Sequence, residues 1–304
     1  MSAPTESAAD GEEPADVPRS GNSFAGDWWV NFKRWNLKAV RNPFVLVVSL
    51  VQPIIFLVLF TQVFGQIATG AISRGGADIT YETYLVPAIA IQVSLAAAAT
   101  SGVGLVNDIE NGMFEKVLVT PMNRTAVFLG KTAAEILRIL VQIGIILGLG
   151  VLLGADVATG IPGALGIMLV GVVFSMWFVS LSNTIAVLTK DQESTIIGAN
   201  LLQFPLLFVS TAFLPLRVLP GWIQTVATYN PITYGVDSAR SLMLGRDVMT
   251  VVDVSVFPTT VAGVEFGTVW NTLLPGLGVL LALDLVLGSV AVYMLSKASS
   301  SDVQ

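Results

Sequence analysis

The sequence predicts an all-α membrane protein. Six transmembrane helices are expected, with an N-terminal interfacial helix, an amphipathic cytoplasmic helix between spans two and three, and short outer helices before the last span. Three observations predict this. Only 12% of the 304 residues are charged, against about 25% in an average soluble domain, while 54% are apolar and the mean hydropathy is +0.77. Six mostly apolar stretches reach the roughly 20 residues needed to cross the hydrocarbon layer. Lys and Arg divide unevenly between alternate loops.

Composition also excludes function classes. The chain has no Cys, which removes disulfides, thiolate metal sites and cysteine nucleophiles. It has no His, the commonest general base and metal ligand. With no two acidic residues at mid-depth in spans either, an intramembrane enzyme is disfavoured. The net charge of -6 argues against nucleic acid as a partner.

Residues 1–26 are rich in Ala, Ser, Pro, Gly, Glu and Asp. They lack the apolar surface to order themselves and read as a disordered acidic tail. No basic start and apolar core mark them as a signal peptide. From residue 27 to 41 aromatics and cations separate onto two sides of a helix: Trp28, Phe32 and Trp35 on one, Arg34, Lys38 and Arg41 on another. This is the pattern of a helix lying in the membrane interface, its cations favouring an anionic cytoplasmic leaflet. Asn42-Pro43 turns the chain into the bilayer.

The six spans are read as 44–65, 84–106, 132–154, 162–189, 195–215 and 271–296, forming with the interfacial helix one transmembrane domain over 27–297, followed by a tail at 298–304. With the N-terminus placed in the cytoplasm, eleven Lys and Arg lie inside and four (Arg74, Arg217, Arg240, Arg246) outside. Both termini, the stretch 107–131 and the link Lys190–Ser194 are then cytoplasmic. In the longest outer connection, Trp222, Val226 and Tyr229 recur at helical spacing. Asn230-Pro231 offers an N-cap and first-turn pair for a helix ended by Gly245. Residues 247–268 read as a small hairpin or a loop.

The stretch between spans two and three is charged and amphipathic. Met113 and Val117, like Phe114 and Leu118, stand four residues apart, and Glu115 and Lys116 fall off that stripe. Pro121 stops the helix. Such an element suits a grip by another protein or a bed of lipid headgroups. Nearby, Gly130-Lys131-Thr132 mimics the tail of a phosphate-binding loop, but Thr125 stands where that loop needs glycine and no strand precedes it. This chain is therefore not expected to bind ATP. Asn123-Arg-Thr125 fits a glycosylation sequon on the wrong side of the membrane.

Polar residues inside spans cost several kcal/mol unless satisfied. Asp284, amid Leu280–Val292, is read as a cargo or ion contact, or as an interhelical hydrogen-bond partner of Asn183, Asn200 or Gln203. Glu135 and Arg138, three residues apart, are expected to pair with each other.

Three segments carry a family resemblance. Glu110-Asn-Gly-Met-Phe-Glu-Lys-Val-Leu-Val-Thr-Pro121, followed by Leu129-Gly-Lys131, is similar to the acidic-Gly…Glu…Leu…Thr-Pro pattern of type 2 ABC transporter permeases. Asn230-Pro-Ile-Thr-Tyr-Gly-Val-Asp-Ser-Ala-Arg240 before the last span, and the aromatic-basic helix before the first, are similar too. The chain resembles the daunorubicin-resistance and nodulation exporter permeases over about residues 27–297. That resemblance implies an ATP-driven exporter of drugs, lipids or polysaccharides in the cytoplasmic membrane. Two permeases, identical or paralogous, would pair, each on a separate ATPase subunit that binds ATP and Mg. The helix between spans two and three would be the coupling helix, with Asp108, Glu110, Gly112, Met113, Phe114, Glu115, Leu118 and Pro121 facing that ATPase. The alternative from another class is an ion-coupled secondary transporter using Asp284 and Glu135.

Overall fold

The computed structural model describes residues 23–73, 79–112, 124–214, 216, 219–247, 260–261, 264–265 and 268–301. Helix α1, Phe24–Arg41, starts at Ser23, whose hydroxyl accepts from the Gly26 amide at 3.2 Å. Asp27 in its first turn and Lys38 and Arg41 in its last complement the helix dipole. It breaks at Asn42 because Pro43 disfavours helix in the residue before it. Pro43 then opens α2, Pro43–Ser73, where its missing N–H costs nothing.

Helix α3, Tyr81–Glu110, is the most enclosed element and packs against α2, α4, α5, α6 and α8. Helix α4 is Arg124–Leu152 and α5 is Gly160–Thr189. After the two-residue link Lys190–Asp191, α6 covers Gln192–Phe208, capped by the Asp191 carboxylate, which accepts from the Ser194 amide at 2.7 Å. Helices α7, Gly221–Tyr229, and α8, Pro231–Leu244, follow. The expected cap of α8 is present: Asn230 Oδ1 accepts from the Ile232 amide at 3.0 Å, and Gly245 closes the helix at φ 64°. Within 247–268, strands β1, Thr260–Val261, and β2, Val264–Glu265, pair antiparallel. Helix α9, Thr268–Ser301, completes the fold and packs on α5 and α8.

Five of these helices are long and apolar enough to cross a membrane, with apolar windows at Leu46–Ile67, Tyr81–Glu110, Leu129–Leu152, Gly160–Thr189 and Val269–Ala291. Helix α6 falls short. Its 17 residues make a helix about 26 Å long, against a hydrocarbon layer of roughly 30 Å. Pro205 lies inside it, and the chain leaves the helix after Phe208 rather than at Pro215. Within the stretch 107–131, residues 107–110 extend α3 and residues 124–131 begin α4, while residues 113–123 lie outside the described residues.

The centre depends on small residues. A Cβ on Gly102 would lie 2.4 Å from the Ser182 carbonyl oxygen. The Ser182 hydroxyl donates to the Ala99 carbonyl at 2.8 Å and accepts from the Gly102 amide at 3.1 Å. Helices α3 and α5 thus touch backbone to backbone, the close approach that small residues permit in membranes. We expect Gly102→Ala to cost about 1–3 kcal/mol through overpacking, read as a lower melting midpoint of the detergent-solubilised protein. Gly148→Ala, at a site with nothing within 4 Å, is expected to be neutral or slightly stabilising.

Candidate functional site

At one end of the bundle four elements converge: α1, the C-terminal end of α3, the N-terminal part of α4, and the α5–α6 link. Lys131 joins the first three. Its Nζ lies 2.9 Å from Asp108 Oδ2 on α3 and 5.2 Å from the centre of the Trp35 ring on α1. Lys38 Nζ approaches the same ring at 4.8 Å and the Arg34 guanidinium at 5.9 Å. A cation over an indole face is attracted by the ring's quadrupole. Gly130 explains how α1 reaches this position, since a Cβ there would meet the Trp28 carbonyl oxygen at 2.7 Å. Phe32 stacks on Trp28 at 5.3 Å beside this contact.

Glu110, at the last turn of α3, accepts from Gln192 Nε2 at 2.5 Å and so ties α3 to the first residue of α6. The backbone N–H and hydroxyl of Ser194 hold the Asp191 carboxyl below the usual carboxylate range. That cap is charged at neutral pH and its contribution is lost as pH falls through the lowered value. Gly112 closes the described part of α3 at φ 62°. Met113, Phe114, Glu115, Leu118 and Pro121, the centre of the expected coupling helix, lie outside the described residues.

One to two turns deeper, polar groups join α3, α4 and α5. The Ser101 hydroxyl stands 3.2 Å from Glu135 Oε2 and 3.4 Å from Asn183 Oδ1. Arg138 Nη2 donates to the Ala97 carbonyl at 3.2 Å and to the Thr100 hydroxyl at 3.1 Å. Glu135 and Arg138 therefore do not form the expected pair with each other, because α3 offers each of them a nearer partner. Gln142 donates to Ser49 at 2.7 Å, linking α4 to α2.

Asp284 differs from its expected pairing. Both carboxylate oxygens are buried without a hydrogen-bond partner among the described residues. Asn183 is engaged at Ser101, Gln203 is buried on α6, and Asn200 faces outward on α6. Helix α9 carries Asp284 and packs chiefly on α5 and α8.

The opposite end holds a cluster built on the Asn230–Arg240 stretch, whose contacts the sequence did not reveal. Arg240, only 1% exposed, donates to Asp237 Oδ1 at 2.8 Å, to the Thr211 carbonyl at 3.0 Å and to the Tyr84 carbonyl at 3.3 Å. Its guanidinium lies 3.7 Å from the centre of the Tyr84 ring. The Tyr81 hydroxyl donates to the Phe213 carbonyl at 3.0 Å and the Tyr84 hydroxyl to the Thr211 carbonyl at 3.3 Å. Asn230 Nδ2 reaches the Leu206 and Val209 carbonyls at 2.5 and 2.6 Å. The carbonyls released where α6 unwinds are thus collected by α3 and α8. The detectable signal was an Asp-x-x-Arg pair inside an apolar helix, and Arg240 is a buried tie rather than a free loop cation. Arg240→Met strands Asp237 in the interior and is expected to cost about 3–5 kcal/mol. The double change with Asp237→Leu is expected to regain part of that loss, measured by thermal unfolding.

Residues 26–244 match the ABC-2 type transporter family. The chain is 29% identical to the daunorubicin resistance ABC transporter permease protein DrrB1 of Streptomyces coeruleorubidus over 203 residues, 67% of this chain and 70% of the relative. It is 26% identical to the "Probable doxorubicin resistance ABC transporter permease protein DrrC" of Mycobacterium tuberculosis over 240 residues, 78% and 85% of the two chains. With five helices long and apolar enough to cross a membrane among the described residues, this multi-pass membrane protein belongs to the ABC-2 type transporter family.

Proposed function

We propose that this chain is the permease subunit of an ATP-driven exporter, forming the translocation path and driven by a separate cytoplasmic ATPase. The observation that carries the reading is the Lys131 junction. Asp108, Lys131 and Trp35 bring α3, α4 and α1 together beside residues 113–123, and Glu110–Gln192 adds α6. A push on that segment is then passed to four helices at once. Met113, Phe114, Glu115, Leu118 and Pro121 are the residues we assign to the ATPase contact. Asp108 and Glu110 act as ties behind it, and α1, with Trp28, Phe32 and Trp35 against the bundle, lies in the membrane interface as a second contact. ATP and Mg belong to the ATPase, present in two copies, under two permeases that are identical or paralogous.

In this reading the sixth crossing is α6 continued by residues 209–214, and both termini are cytoplasmic in the cell membrane. The names of the relatives favour a drug-like cargo. An ion-coupled mechanism through Glu135 and Asp284 gains no support, since no hydrogen-bonded chain joins them among the described residues: Glu135 reaches α3, and Asp284 lies on α9.

Replacing Glu110 and Glu115 by Lys is expected to weaken co-purification with the ATPase while membrane insertion is retained; unchanged co-purification refutes the contact. Asp108→Lys or Lys131→Asp alone is expected to lower transport about fivefold, as the loss of a roughly 1 kcal/mol pair does, with partial recovery in the double swap. Because the chain has no Cys, Met113→Cys gives a single label site, expected to react only from the cytoplasmic side. Labelling from the exterior alone overturns the proposed orientation.

A further inference from the structure

Helix α3 is enclosed in its first half and open on one side in its second. Every residue from Thr83 to Leu95 is buried. Further along, Thr100 and Asn107 are exposed, and Val103 and Gly104 half-buried. Their spacing, i, i+3, i+4, i+7, sets the four on one face. Helices α2, α4, α5 and α6 all pack on α3 and leave that face clear. Arg138 of α4 borders it. Its Nη2 donates to the hydroxyl of exposed Thr100 at 3.1 Å and to the Ala97 carbonyl at 3.2 Å. Within the α4 window Leu129–Leu152 no exposed residue is polar, so Arg138 is turned from a lipid-like surface towards α3. It stands nine residues into that window, about 13 Å along the helix. Lys131, two turns earlier, has Asp108 as its counter-charge. Arg138 forms no ion pair among the described residues, where Lys131–Asp108 and Arg240–Asp237 are the pairs found. Glu135, one turn away, meets the Ser101 hydroxyl instead, and the Arg138 Nε is buried without a hydrogen-bond partner.

A cation held at hydrocarbon depth without a counter-ion marks a pathway or a partner. The planar fork of a guanidinium matches the oxygens of a carboxylate or phosphate. A small soluble anion has no reason to reach this depth, whereas an amphiphile does. Val103 on α3 and the exposed Leu137 and Val141 on α4 offer apolar surface to a chain attached to the acid. We propose that Arg138, with Thr100 beside it, binds the carboxylate or phosphate of an anionic amphiphile whose chain lies along the open face of α3. The inference rests on the permease reading above, in which these helices border the path, and it adds the charge class of the amphiphile that the path accepts.

The test uses the full chain in phosphatidylcholine nanodiscs at about pH 9, so that the carboxyl of a membrane-bound fatty acid is ionised despite its raised pKa. Electron paramagnetic resonance compares the protein-immobilised fraction of stearic acid, spin-labelled near its carboxyl, with that of its methyl ester. The acid is expected to be preferred about fivefold, as one nearby cation provides. Arg138→Gln is expected to abolish the preference and Arg138→Lys to keep part of it. Glu135→Gln, which removes a negative charge one turn away, is expected to raise it. The last two variants keep the test decisive where Arg138→Gln fails to fold. Equal immobilisation of acid and ester by the unaltered chain overturns the proposal. So does a preference that survives Arg138→Gln, which assigns the acid to surface cations such as Arg34 and Lys38. Excess unlabelled phosphatidylglycerol separates the two sources of the acid group. If it removes the preference, the site holds a phospholipid headgroup; if the preference stays, the site takes a free amphiphile. Binding is read without the ATPase, so its failure leaves the permease reading to the Glu110 and Glu115 changes.

Discussion

A bilayer gives a buried polar group no water to turn to, and in this chain α3 meets that constraint for most of its neighbours. Its first turns place Tyr81 and Tyr84 against the carbonyls of Thr211 and Phe213. Its middle is thin enough at Gly102 for the Ser182 hydroxyl to bond its backbone. Its last turns carry Asp108 to Lys131 and Glu110 to Gln192. These contacts reach α4, α5, the first residue of α6 and the segment after it, and the Tyr84 carbonyl accepts from Arg240 of α8, so the position of α3 bears on all four neighbours.

The two ends of α3 solve different problems. At the end near α8 the difficulty is a helix that stops early: α6 unwinds after Phe208, and its released carbonyls need donors inside protein. Arg240, Asn230 and the two tyrosines provide them, and Asp237 neutralises the arginine that this requires. At the other end the difficulty is joining the tips of helices that meet without a buried network between them. There the ties are a part-exposed ion pair, a ring shared by cations and a side-chain hydrogen bond. A fully buried network resists rearrangement, whereas part-exposed ties can be remade. Movement is therefore expected at the Lys131 end, against a fixed frame at the Arg240 end.

Between them, Ser101, Glu135, Asn183, Arg138 and Thr100 stitch the inner halves of α3, α4 and α5. These contacts make α3 and α4 one body on either side of the segment 113–123. Asp284 stands apart from this network on α9.

The sequence by itself determined the features that are local or summed along the chain. Apolar runs marked the five long membrane helices, and Asn230 and Gly245 marked the ends of α8, whereas the aromatics of α1, which the sequence sets on the membrane-facing side, are half-buried on the side that meets α4. Only the tertiary structure decided which polar groups meet. The local pattern of Gly130-Lys131 only mimics a phosphate loop; in the fold Gly130 makes room for α1 and Lys131 answers Asp108 across 23 positions. By sequence Arg240 is an outer cation on a short helix, and in the fold it binds a carbonyl 156 positions away. Glu135 and Arg138 suited each other by spacing and turned to α3 instead. The physical reason is that hydropathy and capping act within a few residues. The partner of a buried charge is whichever group the packing of distant helices brings within about 3 Å.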